Sequence, residues 1–68
     1  MELSARNQLS GRVSAIRKDG LMAEVAIDLG HAQSIVSVIT SGSVERLGLR
    51  EGDEVRAVIK ATEVLVAK

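Results

Sequence analysis

The sequence predicts an all-β domain: a five-stranded Greek-key barrel of the OB type, with one short helix between strands 3 and 4. Three observations carry that prediction. The segments 9–18, 21–29, 33–40 and 54–60 alternate in polarity or are rich in Val and Ile, as strands with a buried face are. The one interruption with helical chemistry, Thr40-Ser41-Gly42-Ser43, falls between the third and fourth of them. A last short alternation then begins at Val64 and Val66. Three strands, a helix and two strands is the element order of an OB barrel. An SH3-like barrel is the structural alternative, and the position of the helix favours OB.

Each element has a local reason. In 9–18, Leu9, Gly11, Val13 and Ala15 share one face, with Ser10, Arg12, Ser14 and Lys18 mostly on the other. Lys18-Asp19-Gly20 is a hairpin turn, because Asp-Gly takes the positive φ that tight turns need. In 21–29, Leu21, Ala23, Val25, Ile27 and Leu29 oppose Met22, Glu24, Ala26 and Asp28, and Gly30-His31 turns the chain. Strand 33–40 is apolar on both sides, with Ile35 and Ile39 on one and Val36 and Val38 on the other. Such a strand expects a second layer, and a neighbouring subunit would supply it.

The hydroxyls of Thr40, Ser41 and Ser43 are N-cap chemistry, Val44 and Leu47 fit one apolar helix edge, and Gly48 suits the left-handed C-terminal cap. Leu49-Arg50-Glu51-Gly52 forms a second turn. Residues 54–60 then bring Val55, Ala57 and Ile59 inward. No repeat, linker or low-complexity segment divides residues 1–68, which form a single domain.

Composition narrows the function. With 68 residues, no Phe, Tyr or Trp and no Cys, the core is thin and without covalent staples. His31 is the only histidine, so a zinc or haem site has too few ligands. Yet 46% of the chain is apolar, a surplus that belongs in subunit interfaces. Nine Lys and Arg balance nine Asp and Glu, which argues against a dedicated nucleic-acid binder. Single-strand binding on an OB barrel also needs aromatic platforms that this chain lacks. No stretch approaches the ~20 apolar residues of a membrane span, and Met1-Glu2-Leu3 lacks the basic start and apolar block of a signal peptide, so the expected compartment is the cytoplasm.

Three polar patches interrupt the strands: Ser4 to Gln8, Thr40 to Ser43, and Lys60 to Thr62. Arg6 and Lys60 bring positive charge, while Ser4, Thr40, Ser43 and Thr62 bring neutral donors. Together they describe a site for a small dianion held by many hydrogen bonds and one or two full charges. Each patch also has a plainer reading: Ser and Thr before a helix act as caps, a lone Lys at a strand end is solvated, and an N-terminal arm frays. Spacing alone does not choose between them. No nucleophile has a base beside it, so no enzymatic activity is expected.

At these patches the sequence resembles a family. Ser4-Ala5-Arg6-Asn7-Gln8-Leu9, Gly11-x-Val13, Ile39-Thr40-x-x-Ser43-Val44-x-x-Leu47-Gly48-Leu49-x-x-Gly52 and Ile59-Lys60-Ala61-Thr62-Glu63-Val64 are similar to the molbindins, small proteins made of one Mop-type or TOBE domain. The likeness runs over nearly the whole chain in order. It implies an OB-type fold, assembly as a homohexamer (a trimer of dimers), and molybdate as ligand, with tungstate as substitute, at subunit interfaces. By motif, Ser4, Ala5 and Arg6 would contribute from one subunit. Thr40, Ser43, Lys60, Ala61 and Thr62 would line the pockets with them, and Asn7 lies within the same motif. Ala61 stands where some relatives carry Ser and can offer only its N–H. The resulting expectation is a cytoplasmic molybdate-binding protein for molybdenum storage or homeostasis, with itself and the oxyanion as partners and neither nucleic acid nor membrane. The alternatives are an OB module for nucleic acid or protein, and an oligomerisation domain without ligand. With Met1 at its start and one strand after the last motif, the chain is expected to be complete rather than excised from a regulator or transporter.

Overall fold

The computed structural model describes residues 5–68. Its elements are β1 (Asn7–Asp19), β2 (Met22–Gly30), β3 (Gln33–Thr40), α1 (Ser41–Leu47) and β4 (Glu54–Ile59), followed by a 3-10 turn at Ala61–Glu63. The strands form one antiparallel sheet in the order β3-β2-β1-β4. That order is a Greek key, since the fourth strand returns to lie beside the first.

The long strand β1 is shared. Asn7–Arg12 pairs with β4, and Arg12–Asp19 pairs with β2. At the handover the sheet curls into a half-barrel, for two local reasons. Gly11 has no side chain where a Cβ would stand 2.6 Å from Ile27 Cγ2 and 2.8 Å from the Asp28 carbonyl. The β1–β2 register then shifts between Val13 and Ala15, a bulge that bends the strand and increases its twist. Val13 bonds across to the β4 side, its N–H donating to the Asp53 carbonyl at 2.9 Å and its carbonyl accepting from Gly52 at 2.8 Å.

The bulge overturns one expectation. Simple alternation puts Ala15 inward, but the extra residue turns Ala15 to solvent and Ile16 toward the core. The core itself is Val13, Ala23, Val25, Ile27, Val44 and Ala57, all aliphatic. Each fully buried Val contributes roughly 1.5–3 kcal/mol, so this set is adequate and small.

Three further expectations change for stated reasons. Leu21 is not in the strand; with Gly20 it makes the two-residue β1–β2 loop, and it is exposed. Leu47 is 69% exposed, whereas Leu49 packs on the core. The helix ends in a Schellman arrangement: Gly48 at φ 62° donates to Glu45, and Leu49 donates to Val44 at 3.0 Å, which folds Leu49 back over Val44. Finally, four strands are present rather than five. The chain after Glu63 pairs with nothing in the sheet, and Leu65 and Val66 are 93% and 92% exposed. A strand exists only through a partner's backbone, and the tail pairs with neither edge strand, β3 or β4. The β3 face bearing Val36 and Val38 is likewise uncovered, at 57% and 63% exposure.

Candidate functional site

The motif residues fall into two groups at opposite ends of β1. At the first end, Asn7 opens the strand opposite Ile59 of β4. Ala5 and Arg6 therefore lie beside Lys60, Ala61 and Thr62, which leave β4 through the 3-10 turn closed by Glu63 N–H on the Lys60 carbonyl at 2.9 Å. Ser4 lies outside the described residues. Lys60 keeps extended dihedrals, φ −64° and ψ 137°, so the period-two alternation of β4 continues into it. Arg6 and Lys60 consequently share the outer face of the β1–β4 ribbon, and both are exposed. Among the described residues neither makes an ion pair; the two that form join Arg12 to Glu54 and Lys18 to Glu45.

Thr40 and Ser43 lie at the second end. Thr40 pairs with Met22, which follows the hairpin closing β1 and β2. Their hydroxyls are occupied: Thr40 Oγ1 accepts from the Ser43 N–H at 3.0 Å and donates to Ser43 Oγ at 2.8 Å, and Arg46 Nη2 donates to Ser43 Oγ at 3.0 Å. Ser41 ties the helix to the hairpin through Gly20 and Met22. Strands advance about 3.3 Å per residue, so the 13 residues of β1 separate the two groups by most of the molecule's 35 Å length. One chain brings together Ala5, Arg6, Asn7, Lys60, Ala61 and Thr62, but not Thr40 or Ser43.

A concavity of about 880 Å³ is lined from β1, β2 and β4, by Gln8, Ser10, Arg12, Leu29, Arg56 and Val58 among others. Of the residues expected to hold the ion none lines it; Gln8 and Gly11 are the motif positions that do. Its cations have partners: Arg12 bonds Glu54 at 3.0 Å and the Gly52 carbonyl at 2.8 Å, and Arg56 bonds Gln8 at 3.1 Å. The motifs leave out Arg56, although stepping by two from Lys60 through Val58 reaches it on the same face. No group of three or more His, Cys, Asp or Glu among the described residues is placed to hold a metal ion.

A curled Greek-key sheet with one capped helix defines a small OB-like β domain, with two exposed cations, Arg6 and Lys60, at one end of the ribbon. The chain belongs to the TOBE domain family, whose model matches residues 3–66, and within it to the molbindin group of molybdate-binding proteins. It is 46% identical over 66 residues to molybdenum-pterin-binding protein 1 of Clostridium pasteurianum, covering 97% of both chains. The structure of a molybdate-binding protein from Sporomusa ovata superposes over 100% of both chains with a TM-score of 0.94 at 41% identity. The cytoplasmic molybdate-binding protein ModG, crystallised with molybdate bound, matches 90% of this chain and 43% of its own at a TM-score of 0.85 and 43% identity.

Proposed function

We propose that this protein stores molybdate in the cytoplasm, taking tungstate as a substitute, in pockets formed where copies of the chain meet in a homohexamer. The observation that carries the reading is the separation of the two motif groups along β1. A small tetrahedral dianion cannot touch Arg6 and Thr40 of one chain, so a pocket using both takes them from different copies. The uncovered Val36, Val38, Leu65 and Val66 support assembly, since an apolar surface of this kind is better buried against a partner.

In this reading Arg6 and Lys60 neutralise the dianion, and Ala5 and Ala61 offer backbone N–H groups. Ser4, Thr62, Thr40 and Ser43 add hydroxyl donors, and Asn7 fixes where the arm joins β1. Hydrogen bonds to a charged acceptor are each worth roughly 1.5–3 kcal/mol, so a handful suffices without a metal-type ligand set. The protein binds and releases its ion without chemical change. An assembly domain with a lapsed site is the rival, and it gives Arg6 and Lys60 no reason to share one exposed face without an ion-pair partner among the described residues.

Native mass spectrometry with and without molybdate tests both halves at once. Six subunits carrying bound oxyanion is the expected result. A monomer, or an oligomer that retains no molybdate or tungstate at saturation, refutes the reading. Molybdate should also raise the thermal midpoint, because a ligand that binds only the assembled state stabilises it by mass action.

A further inference from the structure

The Ala5–Arg6 peptide is held from behind by two side chains to which no motif gives a role. Gln8 Nε2 donates to the Ala5 carbonyl at 3.2 Å, and Arg56 Nη1 donates to Gln8 Oε1 at 3.1 Å. Register explains how they meet. Gln8 pairs with Val58 and Ser10 with Arg56, so the guanidinium reaches diagonally across the ribbon to the carboxamide. A guanidinium has donors only, so it bonds the carboxamide oxygen and thereby turns the NH2 group toward Ala5. The peptide is trans and planar, which makes its N–H point opposite to its C=O. With the carbonyl drawn toward Gln8, the Arg6 N–H faces away from it.

We propose that Gln8 and Arg56 are positioning residues for the oxyanion-binding arm, a proposal that rests on reading Ala5 and Arg6 as ligands of the ion. Ala5 and Arg6 precede the first ladder pair, Asn7 with Ile59, so the sheet does not hold them. The relay from Arg56 through Gln8 to the Ala5 carbonyl does so instead. It acts through the peptide rather than by touching the ion. An arm set in place beforehand does not have to be ordered when the ion arrives, and affinity rises accordingly.

The test uses the assembled full-length protein, isothermal titration with molybdate, and amide hydrogen exchange read by NMR at Arg6 and Asn7. Gln8→Met should weaken molybdate binding roughly three- to tenfold, as loss of one such bond implies. It should speed exchange at Arg6 and Asn7 while leaving Val25 protected. Arg56→Met should shift both readouts the same way, and Arg56→Lys, which keeps a donor, should recover most of the loss. The double variant should bind no more weakly than Gln8→Met alone. Arg50→Gln removes the same charge from the distant second turn and should leave affinity as in the parent. Gln8→Met and Arg56→Met binding as the parent does, with unchanged exchange, would overturn the proposal, as would Arg50→Gln weakening binding as much as Arg56→Met. If the parent protein itself binds no molybdate, the functional reading fails. The exchange rates then decide separately whether the relay holds the arm.

Discussion

The two ends of β1 carry similar residue types and use them differently. At the helix end, the hydroxyls of Thr40, Ser41 and Ser43 all have partners within the chain, and Val44 is buried behind them. At the arm end, Arg6, Lys60 and Thr62 are exposed, and the two cations lack ion-pair partners among the described residues. A cap satisfies the fold's own orphan N–H groups, so its chemistry is complete in one chain. Two like charges on one face repel each other, and an anion brought between them would relieve that. The contrast teaches that the helix-end hydroxyls serve the fold itself, whereas the arm-end groups are left exposed, as the proposed function requires.

The comparison breaks most completely if the strand joining the two ends is disturbed. Gly11→Val would drive a side chain into Ile27 Cγ2 and the Asp28 carbonyl, the latter backbone that cannot step aside. Overpacking there should cost about 3 kcal/mol and lower the thermal midpoint at both ends together. Arg6→Ala and Lys60→Ala sharpen the contrast. Each should weaken molybdate binding by about 2 kcal/mol, some thirtyfold by titration calorimetry, with unfolding free energy changed by less than about 0.5 kcal/mol. Unaltered affinity in both would remove the arm end as the site.

Thr40→Ala tests the other side. Loss of the cap should destabilise the molybdate-free protein by about 1 kcal/mol in urea titration. If stability is untouched, the helix-end hydroxyls are not structural and the contrast fails. The smallest effect is expected away from both ends, at the β2–β3 loop. His31 and Ala32 both sit at positive φ, 54° and 59°, which disfavours Ala. Ala32→Gly should raise stability by about 0.5–1 kcal/mol, seen as a higher thermal midpoint with unchanged molybdate binding.

Much of the fold was legible because its signals are local. The alternation of β2 put Ala23, Val25 and Ile27 inward, where they are buried. Thr40 and Gly48 cap the helix where their chemistry indicates. The errors arose where a residue's neighbours in space decide. Ala15 and Ile16 exchange faces because of a bulge that no residue type announces. Leu47 loses its place to Leu49 because the cap geometry folds the chain back. Val64 to Val66 look like a strand, but alternation describes a strand without supplying its partner. At the site, the residue types were readable and their grouping was not. Thr40, Ser43, Lys60 and Thr62 formed one list in the sequence, and the structure divides them between two ends.

By itself the sequence determined the order of the first four strands and the helix, the aliphatic core of β2, the helix caps, and the residue types of the motifs. These depend on side-chain period and on the φ preferences of single residues, which act over a few positions. Only the tertiary structure decided that β1 is shared between β4 and β2, that Arg6 stands beside Lys60, and that Arg56 reaches Gln8. Those follow from strand register, a property of two distant segments together, and register is set by the bulge at Ser14 and the side-chain-free space at Gly11.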